Sequence, residues 1–121
     1  MGKLKIYLSG AITNRKNYEQ EFEEAKEIVQ KYYSIYYDSQ DTEIINPIDT
    51  DNLNESGSWE DYLKKDIKML VDCDILIDIE NGSENSRGAM LEKMICAGLD
   101  IPIQKLSFFE TEMELRGIKH E

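Results

Sequence analysis

The sequence of 121 residues contains one histidine, two cysteines and few basic residues. It has 14 basic residues against 25 acidic ones, and its formal net charge at pH 7 is −11. The lone histidine, His120, stands next to the last residue, which disfavours Ser-His-Asp and Cys-His catalysis and histidine metal sites. Cys73 and Cys96 form no CxxC pair, and we expect two reduced, buried thiols in a cytoplasmic protein. The chemistry must then come from carboxylates, hydroxyls and backbone amides, and we expect neither a metal nor a cofactor.

Long apolar runs and basic clusters are also missing. No apolar segment approaches the roughly 20 residues that span a bilayer, and the first residues lack the apolar region of a secretory signal, so we expect no membrane association. An excess of negative charge disfavours polymeric nucleic acid, which is bound through neutralised phosphates. A small phosphorylated molecule stays compatible with this charge, because a pocket can have a field of its own. The length fits a single domain over residues 1–121.

Apolar and polar segments alternate in the manner of a β-α-β-α chain. We predict strands over residues 4–9, 42–46, 74–79 and 101–106, a loop over 49–58, and helices over about 18–32, 58–71, 86–97 and 108–115. Ser58 and Ser86 are the predicted N-caps of two helices, and Gly98 is the predicted stop of one. The alternation indicates an α/β fold with an open parallel sheet of four to five strands and helices on both faces. Ligands bind such sheets at the carboxyl ends of the strands.

Asp66 breaks the pattern of its predicted helix. It follows Trp59 by seven residues and Tyr62 by four, and precedes Leu70 by four, so it lies within the apolar stripe of that helix. A carboxylate that faces a core must be hydrogen-bonded or paired. The position fits either a structural aspartate or a group that donates a proton or orients a substrate.

Glu92 is a second unusual carboxylate. We expect its helix to turn Leu91, Met94, Ile95 and Gly98 inward and to hold Glu92 on the flank of that stripe. Gly88, one turn earlier, leaves space before the carboxylate. The helix begins at the carboxyl edge of the sheet, where its first amides, near Ser86, Arg87 and Gly88, form a natural anion site. Two carboxylates beside an anion site, without histidine, favour cleavage of a glycosidic bond.

A series of short motifs then resembles the nucleoside 2-deoxyribosyltransferase-like family. The motifs run from the first strand to about Gly98, and they are KIYLSGAIT (5–13), Asn46-Pro47, Trp59, Asp66, Cys73-Asp74 and SRGAMLE (86–92). The sequence is most similar to a small branch common in phages and bacteria, which is related to nucleoside 5′-monophosphate N-glycosidases. The resemblance implies a flavodoxin-like (Rossmann-like) fold.

The resemblance also implies roles for individual residues. Glu92 corresponds to the nucleophile that attacks C1′ of a nucleoside and forms a covalent glycosyl–enzyme species. Tyr7 would orient Glu92 through its hydroxyl, and Asp66 would protonate the departing base or hold the sugar. Asp74 matches a family aspartate, although its place before a strand also suits a structural cap. The implied substrate-binding set is Ser9, Gly10, Ala11, Ile12, Asn46, Asp74, Ser86, Arg87 and Gly88.

The residue six positions before the nucleophile indicates the substrate. Family members that act on free nucleosides tend to have an acidic residue there, and those that hydrolyse nucleoside 5′-monophosphates have serine, as this chain does at Ser86. Relatives of the second kind also have serine and arginine where this chain has Ala11 and Thr13. The resemblance therefore implies an enzyme that acts on a nucleoside or its 5′-monophosphate. The altered loop leaves open a non-catalytic protein that sequesters a nucleotide or nucleotide-derived signal.

We also expect a homo-oligomer. Relatives complete their sites with a neighbouring chain, and Ala89 and Cys96 are predicted on the outward side of their helix, where small residues allow close packing between subunits.

Overall fold

The structure, a computed structural model, describes residues 3–13, 15–36, 41–50 and 58–117. Its strands are β1 (Leu4–Ser9), β2 (Thr42–Ile45), β3 (Ile75–Asp78) and β4 (Ile103–Lys105). Its α-helices are α1 (Tyr18–Tyr36), α2 (Pro47–Thr50), α3 (Trp59–Leu70), α4 (Arg87–Leu99) and α5 (Leu106–Leu115). A 3₁₀ turn at Ser83–Asn85 precedes α4.

The four strands form one parallel sheet in the order β2-β1-β3-β4. In this register Tyr7 pairs with Ile45 on one side and with Leu76 on the other, and Ser9 pairs with Asp78. The strand order matches the beginning of the flavodoxin-like arrangement, in which the first and third strands are neighbours. The predicted α/β fold with an open parallel sheet is confirmed.

The helices cover both faces of the sheet. Ile6 and Leu8 of β1 pack with α1 and α5 through Phe22 and Phe109, whereas Tyr7, between them in sequence, faces the opposite side. This alternation is the ordinary period of a strand. The opposite face is covered by α3 and α4, through residues such as Leu70 and Cys96. Among the described residues, no helix has the length and apolar character to cross a membrane.

Several predicted boundaries are wrong. The predicted loop from residue 49 begins inside α2, and residues 51–57 lie outside the described part of the chain. Gly98 does not end its helix, because α4 continues to Leu99 and Asp100 takes the left-handed conformation with φ 59°. An aspartate tolerates that conformation better than most residues. The last helix begins at Leu106 rather than at 108.

The predicted inward face of α4 is wrong at Met94 and Gly98, whereas Ile95 packs against the core as predicted. The helix buries Ala89, Glu92 and Cys96, whereas Met94 is 66% exposed and Gly98 is exposed. A prediction from hydrophobicity turns the largest apolar side chains inward. Here small residues face the sheet, and a glutamate whose charge is satisfied by hydroxyls of β1 lies between them. Glu92 is therefore central to the packed face and not on its flank.

Candidate active site

A cavity of about 600 Å³ opens at the carboxyl edge of the sheet. Its size is typical of pockets for small molecules. It is lined from β1 and the following loop, α1, α2, α3 and the first turns of α4, by Leu8, Gly10, Ile12, Thr13, Tyr18, Glu19, Phe22, Pro47, Ile48, Trp59, Tyr62, Leu63, Asp66, Ser86, Gly88, Ala89 and Glu92. Among the described residues, the charged side chains in this lining are all carboxylates. Aromatic rings and carboxylates thus dominate the pocket.

Glu92 is held by two hydroxyl groups of β1. The Tyr7 hydroxyl donates to Oε2 over 2.7 Å, and the Ser9 hydroxyl donates to Oε1 over 2.6 Å. Tyr7 and Ser9 lie two residues apart on β1, so their side chains share one face of the sheet. Glu92 is buried, with 6% of its surface exposed. Each carboxylate oxygen therefore has a donor, and the side chain has one defined orientation.

Burial controls the electrostatics of this group. Desolvation raises the pKa of Glu92 above its ordinary value of 4.5, and the hydrogen bonds from Ser9 and Tyr7 oppose this effect only in part. Burial also raises the pKa of the Tyr7 hydroxyl, and the charges of Glu92 and Asp66 raise it further. Tyr7 therefore remains a hydrogen-bond donor over the whole physiological range.

Asp66 enters the pocket from α3. The helix starts in a capping box, in which the Ser58 hydroxyl accepts from the Asp61 amide and the Asp61 carboxylate accepts from the Ser58 amide. This arrangement confirms the predicted N-cap. From the first turn of α3, Trp59, Tyr62 and Asp66 follow one another along one face and line the pocket. Asp66 is buried and acts electrostatically on Tyr7, so the two carboxylates flank the same tyrosine.

The loop after β1 forms another wall, and its shape depends on Asn81. The Asn81 side chain accepts from the Ala11 amide over 2.8 Å and donates to the Ala11 carbonyl over 3.0 Å. Gly10 is required here, because a Cβ atom would lie 2.5 Å from Ile79 Cγ1 and 2.9 Å from Asn81 Oδ1. Gly10 and Ile12 line the pocket, whereas Ala11 is buried against Asn81.

The first turn of α4 lies at the same cavity. Ser86 caps the helix by accepting from the Ala89 amide over 3.2 Å, as predicted. Gly88 has open space where a side chain would stand. Arg87 is exposed and does not line the cavity; its guanidinium lies 4.6 Å from the centre of the Trp59 ring, a cation–π distance. This region combines helix amides, a hydroxyl and a cation near the pocket rim.

Five of the nine predicted substrate-binding residues do not line the cavity, namely Ser9, Ala11, Asn46, Asp74 and Arg87. Asp74 precedes β3, at the amino edge of the sheet, where its carboxylate accepts from the Lys5 amide over 2.8 Å and its own amide donates to the Lys5 carbonyl. Asp74 does not line the pocket, which is at the opposite edge of the sheet, and its part in substrate binding stays a prediction. Asn46 is buried and does not line the pocket; its side chain accepts from the Ile48 amide and fixes the start of α2.

Asp78 and Lys93 were missed by the sequence analysis. Asp78 ends β3 and is buried, and its Oδ2 lies 2.6 Å from Lys93 Nζ on α4. Its Oδ1 accepts from the Ser83 hydroxyl and the Glu80 amide. Burial alone would raise the pKa of Asp78, but these bonds and the Lys93 charge outweigh it and hold the pKa below its ordinary value. The signal in the sequence was a carboxylate at the end of an otherwise apolar strand.

The structure does not support the subunit contact that we predicted from Ala89 and Cys96. Ala89 and Cys96 are buried within the chain and not on the outer side of α4. Homo-oligomer formation stays a prediction of the resemblance, which the mass of the protein in solution would test. His120 lies outside the described residues.

Solved structures of other proteins share this fold. A conserved protein from Enterococcus faecalis shares the fold with a TM-score of 0.65 at 14% identity; the match covers 86% of this chain and 63% of that chain. The chain thus spans less than two thirds of that protein. A 2-deoxyribosyltransferase from the psychrotolerant bacterium Bacillus psychrosaccharolyticus aligns with a TM-score of 0.59 at 19% identity, over 84% of this chain and 70% of that chain. At such identities the likeness shows the fold.

The sequence itself gives the family. No curated protein matches it. A family model described as a domain of unknown function, DUF4406, matches residues 4–105. The chain therefore belongs to the DUF4406 family.

Proposed function

We propose that the protein cleaves or transfers the N-glycosidic bond of a nucleoside or its 5′-monophosphate, with Glu92 as nucleophile. The observation that carries this proposal is the arrangement of Glu92, whose two oxygens accept from Tyr7 and Ser9 in a buried position at the wall of a small-molecule pocket. Burial removes water from the carboxylate, and the two hydroxyls fix its direction. Both effects suit a group that must attack one carbon atom.

The reaction follows the double displacement of retaining glycosidic cleavage. An oxygen of Glu92 forms a bond to C1′ while the bond from C1′ to the base nitrogen breaks, and the bonding electrons leave with the base. Asp66, which lines the same pocket, supplies the proton that the base nitrogen takes up. Water then attacks C1′, frees the Glu92 carboxylate and returns a proton to Asp66. A second base in place of water gives transfer instead of hydrolysis.

The orientation of the substrate follows from charge. Glu19, Asp66 and Glu92 line the cavity, and their charges would repel a phosphate there. The first turn of α4 is the better place for the 5′ end, because Ser86 and Gly88 line the pocket there and Arg87 is close to its rim. Helix N-termini favour anions. A sugar with its C1′ at Glu92 and its 5′ end toward Ser86 satisfies both conditions.

The fold supports this proposal, since the chain shares it with a 2-deoxyribosyltransferase. The test is incubation with a panel of nucleosides, deoxynucleosides and their 5′-monophosphates, with free base measured by chromatography. We expect base release by the wild-type chain and none by Glu92→Ala. The matched control is Glu84→Ala, which removes an exposed glutamate from the 3₁₀ turn before α4 and should leave release unchanged. Tight nucleotide binding with no base release would contradict the proposed enzymatic function and favour a protein that sequesters a nucleotide.

A further inference from the structure

Two neighbouring side chains fix α4 to two neighbouring strands. Ser9 of β1 and Asp78 of β3 are partners in the parallel register. Ser9 binds Glu92 over 2.6 Å, and Asp78 binds Lys93, the next residue on α4, also over 2.6 Å. Glu92 and Lys93 thus meet the sheet at the same level, one as an acceptor and the other as a donor.

We propose that Asp78 and Lys93 are positioning residues that set the rotation and height of α4, and thereby aim the Glu92 carboxylate into the pocket. This inference rests on the proposed function of Glu92. Neither residue touches the reacting atoms in this account. Their effect reaches the reaction through the single peptide unit between Glu92 and Lys93.

The helix geometry makes the coupling tight. Successive residues of an α-helix differ by about 100° in direction and 1.5 Å in height. With Lys93 fixed on β3, the direction of Glu92 is determined as well. Without this contact α4 can rotate or slide while its small buried residues, Ala89 and Cys96, offer little steric resistance. The hydroxyls of Tyr7 and Ser9 would then meet Glu92 at longer distances.

Asp78 is itself held firmly enough to act as a reference point. It ends a buried strand and accepts from the Ser83 hydroxyl over 2.5 Å and from the Glu80 amide over 2.9 Å, besides its bond to Lys93. Glu80 has the left-handed conformation, with φ 59°, which turns the chain back toward Asp78. Its side chain accepts from the Ser107 amide at the start of α5. The bonds to the Asp78 carboxylate are charge-assisted, and such bonds are short and directional.

The test compares Lys93→Met, which keeps the length of the side chain and removes its charge, with Lys93→Arg, which keeps the charge. We expect the rate of base release at saturating substrate to fall about 10- to 100-fold in Lys93→Met, with KM nearly unchanged, because a displacement near 1 Å can have an effect of that size. Lys93→Arg should restore most of the rate. Lys68→Met, on an exposed position of α3, is the matched control and should leave the rate unchanged.

A second readout is independent of catalysis. The titration of the Glu92 carboxyl, followed by carbon NMR of labelled glutamate, depends on its bonds to Tyr7 and Ser9. The groups that face it are these two hydroxyls of β1, the Cys96 thiol of α4 and, through Tyr7, Asp66 of α3. In Lys93→Met we expect the titration midpoint to move to higher pH, since weaker hydrogen bonds stabilise the ionised form less. Lys93→Gln, which puts no apolar group beside Asp78, carries the same test if Lys93→Met does not fold.

The outcomes separate this inference from the proposed function. Absence of base release by the wild-type chain would overturn the proposed function, whereas the NMR titration would still test the positioning of Glu92. An unchanged rate and an unchanged Glu92 titration in a folded Lys93→Met or Lys93→Gln chain would overturn the positioning role. A shifted titration with rescue by Lys93→Arg would support it.

Discussion

The Tyr7 hydroxyl donates a hydrogen bond of 2.7 Å to Oε2 of Glu92, although 85 positions separate the two residues in the chain. The bond joins the strand at the centre of the sheet to the helix that begins at its carboxyl edge. Because it favours the ionised form of the carboxyl group, it opposes the effect of burial on Glu92. The state of the proposed nucleophile is thus controlled by a hydroxyl on another element.

Tyr7→Phe tests this control. Loss of the hydroxyl removes a bond that lowers the pKa of Glu92, so the acid limb of the pH–rate profile should move to higher pH. The rate at its plateau should also fall, by about 10- to 100-fold, since one charge-assisted bond contributes roughly 1.5–3 kcal/mol. Steady-state rates of base release across pH provide the measurement. Tyr33→Phe is the control, because Tyr33 is buried on the opposite face of the sheet from Tyr7. An acid limb in Tyr7→Phe that coincides with that of the wild type would contradict the proposed control of Glu92 by Tyr7.

The burial of Glu92 has a consequence for stability. Its pKa is raised in the folded chain above the ordinary 4.5, so folding favours its protonated form. This contribution to stability is fully present below pH 4.5 and is lost as the pH rises through the folded pKa. Glu92→Gln removes the ionisation. We therefore expect the variant to gain stability relative to wild type as the pH rises through that window, and to keep a constant advantage above it.

Denaturant unfolding of both chains at a series of pH values measures this difference. A free energy of unfolding that differs by the same amount at every pH would show that Glu92 titrates alike in the folded and unfolded chains. That result would contradict the burial of an ionisable Glu92. The expected gain also distinguishes a functional carboxylate, which lowers stability, from a structural one.

Substitution by alanine should have opposite effects on stability at Gly10 and at Gly98. In Gly10→Ala the new methyl group would meet Ile79 and Asn81 at less than 3 Å, so we expect a loss of about 1–3 kcal/mol in stability from overpacking. In Gly98→Ala no atom lies within 4 Å, and the position is inside α4, so we expect a gain of about 0.5–1 kcal/mol. Thermal unfolding of the two variants measures both effects. A destabilised Gly98→Ala would mean that α4 ends there after all.

Most of the fold could be predicted from the sequence, but less of the candidate site could. Strand positions were predictable because buried β-branched residues are concentrated in short runs, and the N-caps Ser58 and Ser86 were predictable because serine has a specific function at a helix start. The amino edge position of Asp74 also followed from its place before a strand. The resemblance alone assigned it to the substrate. That assignment stays a prediction.

The inward position of Glu92 could not be derived from its own helix. Hydrophobic periodicity turns Met94 inward and Glu92 to the flank, yet Met94 is exposed and Glu92 is buried. What decides the orientation is the pair of hydroxyls on β1 and the carboxylate of Asp78 on β3. These are tertiary contacts with no fixed spacing in the sequence. A local pattern therefore cannot contain them.

Trp59 provides a direct probe of the pocket. It is the only tryptophan of the chain, it lines the cavity and 37% of its surface is exposed. A ligand in the pocket should displace water from the indole and move its emission to shorter wavelength. Titration of Glu92→Gln with a nucleoside, which avoids turnover, measures the effect. Ligand binding detected by calorimetry with unchanged emission would place the ligand outside this cavity.

The proposed mechanism requires a covalent bond between Glu92 and C1′ of the substrate. Acid quenching of the wild-type chain during turnover of a nucleoside, followed by peptide mass spectrometry, tests it directly. We expect an added mass of one glycosyl group on the peptide that contains Glu92, and no such mass in Glu92→Gln. Base release by the wild-type chain that persists in Glu92→Gln, without an adduct on this peptide, would contradict it.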